Sequence, residues 1–289
     1  CDAITKLKKL DMMGEYNFPE GHKNKVEVIL DPEKKTLKFI DTGLGMTADE
    51  VEKYITQIAF SGATQFLEQY KDKTEGDQII GHFGLGFYSA FMVAIEVCVI
   101  SKAYGEDKAY MWVSEGIDGY TVKECDKDSY GTDIILTIKN NNDDEDYSKY
   151  LDDYHIQSLI KKYSDYITYP IKMNISHSEL KEGTEDEYET VIKEETVNSL
   201  VPLWKRSKSE ITDEEYNTFY SDKFFDYDKP TKVLHFSMEG LISFNALLYI
   251  PAHAPYDYYS KEYEKGLQLY SNGVLIMEKC SELLPDYFS

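Results

Sequence analysis

Apolar and polar residues alternate most clearly near the front of the chain. Residues 26 to 30 (Val-Glu-Val-Ile-Leu) and 36 to 40 (Thr-Leu-Lys-Phe-Ile) each read as a strand. The stretch Asp31-Pro32-Glu33-Lys34-Lys35 between them has the composition of a turn, so the pair predicts a hairpin. A longer period precedes it: Ala3, Ile4, Leu7 and Leu10 share one side of a helix over 2–10. Thr47 and Glu50 have the spacing of a capping box, which opens a helix with Val51, Tyr54, Ile55 and Ile58 on its apolar side. Periodicity is lost over 60–80, where Ser, Gly, Thr and charges accumulate and a loop or lid is expected. After Gly86, residues Phe87, Ala90, Phe91 and Ala94 return to helical spacing.

Four strands are then expected at 96–101, 109–114, 120–125 and 132–139, with Gly105, Gly116, Gly119 and Gly131 in the turns. Consecutive strands between helices predict an α+β fold, an antiparallel-rich sheet with helices on one face. A surface loop at Asn140 to Asp146, a helix near 154–167 and a strand at 171–175 complete a first domain over 1–176. Residues 177–195 are strongly acidic and poor in large aliphatics, the composition of a solvated linker. A second domain over 196–289 carries a helix at 212–225 and strands at 233–238, 243–250 and 267–276.

Composition narrows the partners. The chain has 289 residues, 42% of them hydrophobic, enough for two cores, and its 25 Tyr and 13 Phe argue against disorder. A net charge of -22 opposes binding to nucleic acid, which needs cations to replace phosphate counterions, and it repels anionic membranes. No apolar run reaches the length of a membrane-spanning helix. The cysteines Cys1, Cys98, Cys125 and Cys280 form no CxxC pair, which fits a reducing cytosol, and Cys98 within Val97–Ile100 is expected to be buried and inert. The chain starts at Cys1, not Met, and stops abruptly, so it reads as a fragment of a longer protein.

Two glycine clusters carry the candidate chemistry. In Asp41-Thr42-Gly43-Leu44-Gly45-Met46-Thr47, the Asp41 carboxylate at a strand end can accept a hydrogen bond from the exocyclic amine of adenine. Gly43 and Gly45 would let a flat base approach the backbone, and Met46 offers a soft apolar surface. The competing reading is a plain Asp-x-Gly turn. In Gly81-His82-Phe83-Gly84-Leu85-Gly86-Phe87, glycines precede a helix whose N–H groups would attract phosphates; the alternative is a packing turn. The spacing is neither that of the Rossmann fingerprint nor that of a P-loop. His82 has no paired carboxylate or thiol and makes no metal site, and Phe83 is expected to pack.

These segments carry a resemblance. Asp41 to Thr47, Gln57 to Thr64 (QIAFSGAT), Ile79 to Ser89, Gly131-Thr132, Trp204 to Ser209, Leu248 to Pro251, Ala254 to Asp257 and Gly266 to Tyr270 together resemble the Hsp90 chaperone family over nearly the whole chain. The resemblance implies a GHKL-type ATP pocket of the Bergerat fold, a two-layer sandwich, followed by part of an α/β middle domain. It implies that Asp41 holds the adenine amine, that Thr132 shares that contact partly through water, and that Gly45 and Met46 line the base. Gly81, His82, Phe83, Gly84, Leu85, Gly86 and Phe87 would cradle the phosphates, and residues 57–80 would close as a lid. Asp2 would match the acid of the family's E-x-x-x-N-x-x-D helix, near the ribose and phosphates. Lys6 is either a cation near the pocket or a solvated lysine.

The general-base Glu and Mg²⁺-binding Asn of that helix would lie upstream of Cys1, and the middle-domain Arg downstream of Ser289. The resemblance therefore implies ATP/ADP and Mg²⁺ as cofactors, but no catalytic residue and no hydrolysis at a useful rate in this piece. The longer parent would be a cytoplasmic, homodimeric, ATP-driven chaperone acting on unfolded or client proteins. Phe60 and Tyr54 depart from the lysine and asparagine common in the family's lid. Two other classes compete: another GHKL ATPase (a sensor histidine kinase or a DNA-repair or topoisomerase enzyme), or a non-hydrolysing client-binding module. No His sits in a kinase-like dimerisation helix, and the acidic charge opposes a DNA enzyme. Trp204 and Arg206 contact clients or the other domain, or are simply a core Trp and a surface Arg.

Overall fold

The computed structural model describes residues 1–18, 20–56, 79–81, 84–181, 183–184, 186–240, 242–256 and 258–285. The chain divides into two compact units, Cys1–Asn198 and Ser199–Ser289.

The first unit is built on one sheet. The expected hairpin forms as β1 (Val26–Asp31) and β2 (Thr36–Asp41), paired antiparallel. Then come β3 (Ala94–Lys102), β4 (Ala109–Ser114), β5 (Thr121–Cys125), β6 (Gly131–Ile138), β7 (Ile171–Leu180) and β8 (Tyr188–Thr196). Their spatial order is β5-β4-β3-β6-β2-β1-β7-β8, with β1 and β7 parallel and the other pairs antiparallel.

Residues opposite one another in register share a face. Val28 faces Phe39, Leu37 faces Leu136, Leu136 faces Val97, and Val99 faces Trp112. That face is the core: Val28, Leu37, Leu136, Val97, Val99 and Trp112 are all buried. Helices make the second layer. In α1 (Asp2–Met12), Ile4 and Leu7 are fully buried, and in α2 (Ala48–Thr56) the buried pair is Val51 and Ile55, as their spacing predicts. Thr47 and Glu50 form the capping box: Thr47 N–H donates to Glu50 Oε2 at 2.9 Å and Glu50 N–H to Thr47 Oγ1 at 3.3 Å. Ile58 lies outside the described residues, as do 57–78 of the expected lid.

Several expectations change. The acidic stretch 177–195 is not a solvated linker but most of the β7–β8 hairpin. Opposite charges bridge the two strands, with Lys193 on Glu179 and Lys172 near Glu194 at 3.8 Å, and the His177 ring lies 2.9 Å from the Glu195 carboxylate. The compact first unit accordingly ends at Asn198 rather than 176. The helix after Gly86 is a 3-10 turn (Gly86–Ser89) followed by one turn of α-helix, α3 (Ala90–Val93), because β3 begins at Ala94. The helix near 154–167 is α4 (Asp153–Tyr163), capped by Asp152, whose side chain accepts from His155 N–H.

In the second unit, α5 (Asp213–Phe224) starts with a full capping box between Thr212 and Glu215. It packs against the hairpin β9 (Lys232–Met238) and β10 (Phe244–Ile250) through Leu203, Tyr216, Phe219, Val233, Leu247 and Tyr249. The single strand expected at 267–276 is a hairpin, β11 (Leu267–Ser271) and β12 (Val274–Cys280), turned at Asn272-Gly273. Trp204 and Arg206 are both half-buried. Trp204 packs at 4.9 Å on Tyr270, and Arg206 pairs with Glu215 at 2.9 Å.

Candidate functional site

At one end of the core face the side chains turn polar. There Asp41 of β2 stands opposite Thr132 of β6, and Thr132 opposite Ser101 of β3. Three adjacent strands thus present a carboxylate and two hydroxyls in a row. Thr132 and Ser101 are buried, and their oxygens lie 2.8 Å apart. Burial raises the Asp41 pKa, opposed by the hydrogen bond from Gly43 N–H (2.8 Å to Oδ1) and by the Lys127 charge. Asp41 as a whole residue is half-buried, and its carboxylate is largely dehydrated.

The loop after Asp41 is clamped from two sides. Leu44 N–H donates to Ala3 O at 3.3 Å, Tyr104 N–H to Leu44 O at 2.9 Å, and Met46 N–H to Ser101 Oγ at 2.9 Å. The two loop glycines serve this packing. A Cβ on Gly43 would fall 2.5 Å from Ala3 Cβ, and one on Gly45 (φ +72°) only 1.8 Å from Lys102 O. Their bare faces are therefore turned to protein, not left open for a base. Sequence reasoning missed Ser101, which ties Met46 to Thr132. Its one visible sign is a hydroxyl at the inward position of the alternation Val97, Val99, Ser101.

The structure brings the second glycine cluster to the first helix. Asp2 Oδ1 accepts from Ile80 N–H at 2.9 Å, and Asp2 Oδ2 from Gly81 N–H at 2.7 Å. A carboxylate thus already occupies part of the expected phosphate cradle. Gly84 has φ +63°, and Leu85 and Gly86 are exposed. Phe87 packs edge-on against Trp112 at 5.6 Å, an aromatic anchor rather than a cradle wall. Tyr88 Oη donates to Ile55 O at 2.9 Å and binds this segment to α2. His82 and Phe83 lie outside the described residues, as does Phe60. A helix as short as α3 carries little macrodipole, so the expected dipole attraction for phosphate loses its force.

Lys6 is half-buried, and burial lowers its pKa while Asp2 and Glu50 raise it. It is therefore a partly desolvated cation beside the Asp2 end of the site, not a freely solvated lysine. Tyr54 is half-buried too, with its pKa raised by burial and by Glu50. Behind the polar row, on the opposite sheet face, Asp133 accepts Lys127 Nζ at 2.5 Å and Lys38 Nζ at 2.7 Å. Among the described residues, no group of three His, Cys, Asp or Glu could hold a metal ion. Cys98 is half-buried, and burial pushes its thiol up to about 11, consistent with an inert thiol.

An antiparallel-rich sheet layered with helices, ending in a carboxylate–hydroxyl row beside a glycine segment, is the arrangement of a GHKL-type ATPase. The family model for histidine kinase-, DNA gyrase B- and HSP90-like ATPases matches residues 19–143. A second model, Hsp90 protein, matches residues 177–289. The chain is 57% identical over 263 residues to Chaperone protein HtpG of Clostridium perfringens, covering 91% of this chain and 42% of that protein. Chaperone protein HtpG of Bacillus subtilis (strain 168) is 54% identical over 288 residues, 100% of this chain and 46% of its own length. That of Alkaliphilus oremlandii is 53% identical with the same coverage. The chain belongs to the Hsp90 family. It spans less than half the length of these curated relatives.

Proposed function

We propose that the chain is the nucleotide-holding part of an Hsp90-type ATP-dependent chaperone. The row Asp41–Thr132–Ser101 is the observation that carries this reading, since it sets a dehydrated, hydrogen-bond-ready edge at the end of an apolar face. Asp41 holds the adenine amine, Thr132 addresses the neighbouring edge of the base, and Met46 packs on the ring. The phosphate side runs from Gly81 to Gly86, with Phe87 as its anchor, and is flanked by Asp2 and Lys6. Phosphates reach the N–H groups of Ile80 and Gly81 once the Asp2 carboxylate gives them up. Bound ATP supplies the free energy that closes the parent's lid on client proteins. The parent works as a cytoplasmic homodimer that hydrolyses ATP with Mg²⁺. The family's general-base Glu, Mg²⁺-binding Asn and middle-domain Arg have no counterpart within residues 1–289, so this chain alone releases phosphate slowly or not at all.

ADP at a hundredfold excess over its Kd should stabilise the chain by about 2.7 kcal/mol. That is a rise of several degrees in Tm for a unit of 198 residues. Asp41→Asn keeps an oxygen for Gly43 N–H but presents the amine with no charge, and its ADP-induced rise should vanish. A full rise in that variant would remove Asp41 from the site.

A further inference from the structure

We propose that Lys139 is a positioning residue for the phosphate side of the site: it locks the rear of the helical segment whose front begins at Gly86. The proposal rests on the nucleotide reading above. The 3-10 turn Gly86–Ser89 and α3 run on without a break and end where β3 begins at Ala94. The last four carbonyls of a helix need donors from beyond its last residue. Here Ala94 N–H donates to Ala90 O, and one residue supplies the other three. Lys139 Nζ donates to Phe91 O at 2.9 Å and to Met92 O at 3.0 Å, and Lys139 N–H donates to Val93 O at 3.0 Å. The direction of each bond is fixed, because a carbonyl only accepts and an ammonium only donates. The Tyr147 ring, its centroid 5.7 Å from the same ammonium, helps to hold it.

The place of Lys139 in the sheet makes this clasp a ruler. It directly follows β6, whose last residue Ile138 is buried and pairs with Ala94, the first residue of β3. Its main chain is therefore fixed to the sheet, and its side chain ties the helical segment to that frame. β6 begins at Gly131-Thr132, and Thr132 stands opposite Asp41. One strand thus carries the adenine side at its start and the clasp on the phosphate segment just past its end. Along that segment, Phe91 lies against Gly116, where an added Cβ would come within 3.0 Å of its ring, and Phe87 rests on Trp112. Without the Lys139 ammonium, two carbonyls lose their donors and the corner between α3 and β3 loosens. Gly86 then shifts relative to the Asp41–Thr132–Ser101 row. A base alone still binds after that shift, but base and phosphates no longer meet their partners together.

The test measures ADP binding to the full chain by calorimetry and adenosine binding by competition with ADP, for wild type, Lys139→Met and Lys139→Arg. Lys139→Met keeps the stem and the backbone bond to Val93 O but loses the side-chain donors. Its ADP affinity should fall roughly tenfold, within the range for a residue that acts through a packed neighbour, while its adenosine affinity stays unchanged. Lys139→Arg, which can donate to both carbonyls, should recover most of the loss. Unchanged ADP affinity in Lys139→Met overturns the proposal. So does an equal fall for both ligands, which a general loosening of the fold would give, and so does an Arg variant as weak as the Met variant. Should Lys139→Met fail to fold, Lys139→Gln carries the test, because it keeps one of the two side-chain bonds: the ADP:adenosine affinity ratio must still fall, and an unaltered ratio overturns the proposal. Failure of the underlying reading looks different, because wild type would then bind neither ligand.

Discussion

Replacing Gly45 by Ala tests the packing on which the adenine side depends. Gly45 has φ +72°, a conformation that costs an L-residue about 1–2 kcal/mol. An added Cβ would lie 1.8 Å from Lys102 O and 2.6 Å from Lys102 C, both rigid backbone atoms at the end of β3. The loop must retreat by about 1.5 Å to reach ordinary van der Waals separation. That retreat breaks the two 2.9 Å bonds that hold it, Tyr104 N–H to Leu44 O and Met46 N–H to Ser101 Oγ. At about 1 kcal/mol each, with the backbone strain, the loss comes to about 3–4 kcal/mol.

The chain has two Trp, Trp112 in the first unit and Trp204 in the second, so Trp204→Phe leaves fluorescence reporting the first unit alone. In that background the urea midpoint of Gly45→Ala should fall by about 1–2 M. Gly105→Ala is the control. Its φ is +82°, but nothing lies within 4 Å of its added Cβ, so only the backbone cost of about 1–2 kcal/mol remains. Equal midpoints for the two variants would refute the close approach of the loop to β3.

Two further outcomes follow from buried charge. Asp133→Ala strips the carboxylate from the nearly buried Lys127 and from Lys38, and should cost the first unit about 3 kcal/mol by the same fluorescence assay, whereas removing the exposed Lys108–Glu124 pair should leave the midpoint unchanged. The raised pKa of Asp41 means that the unfolded chain ionises first as pH rises, so ionisation of this group lowers stability above the ordinary carboxylate pKa of about 3.9. Asp41→Asn should then be more stable than wild type at neutral pH, with the gain disappearing below about pH 4; a variant less stable at pH 7 would contradict a desolvated Asp41.

Local rules reached far into this chain. Alternation located β1 and β2, helical spacing located α1 and its buried Ile4 and Leu7, and the Thr47–Glu50 signature marked a helix start. These features depend on neighbours in sequence, and backbone geometry turns that spacing directly into a shared face or a cap. One local signal went unread: Asn272-Gly273, with φ +48° and +84°, is a hairpin turn inside what had looked like a single strand.

The rest came from long-range pairing. The charges of 177–195 look solvated along the chain, yet opposite signs meet across β7 and β8, and that pairing is invisible until the strands lie side by side. The composition and glycine motifs of the sequence determined the family, the acidic character and the candidate carboxylate Asp41. Tertiary structure alone decided that Asp41, Thr132 and Ser101 form one row, that Gly45 faces Lys102, and that Asp2 holds the N–H groups of Ile80 and Gly81. The physical reason is register. Which side chains become neighbours across strands is set by the summed burial of the whole sheet, and no single segment carries that sum.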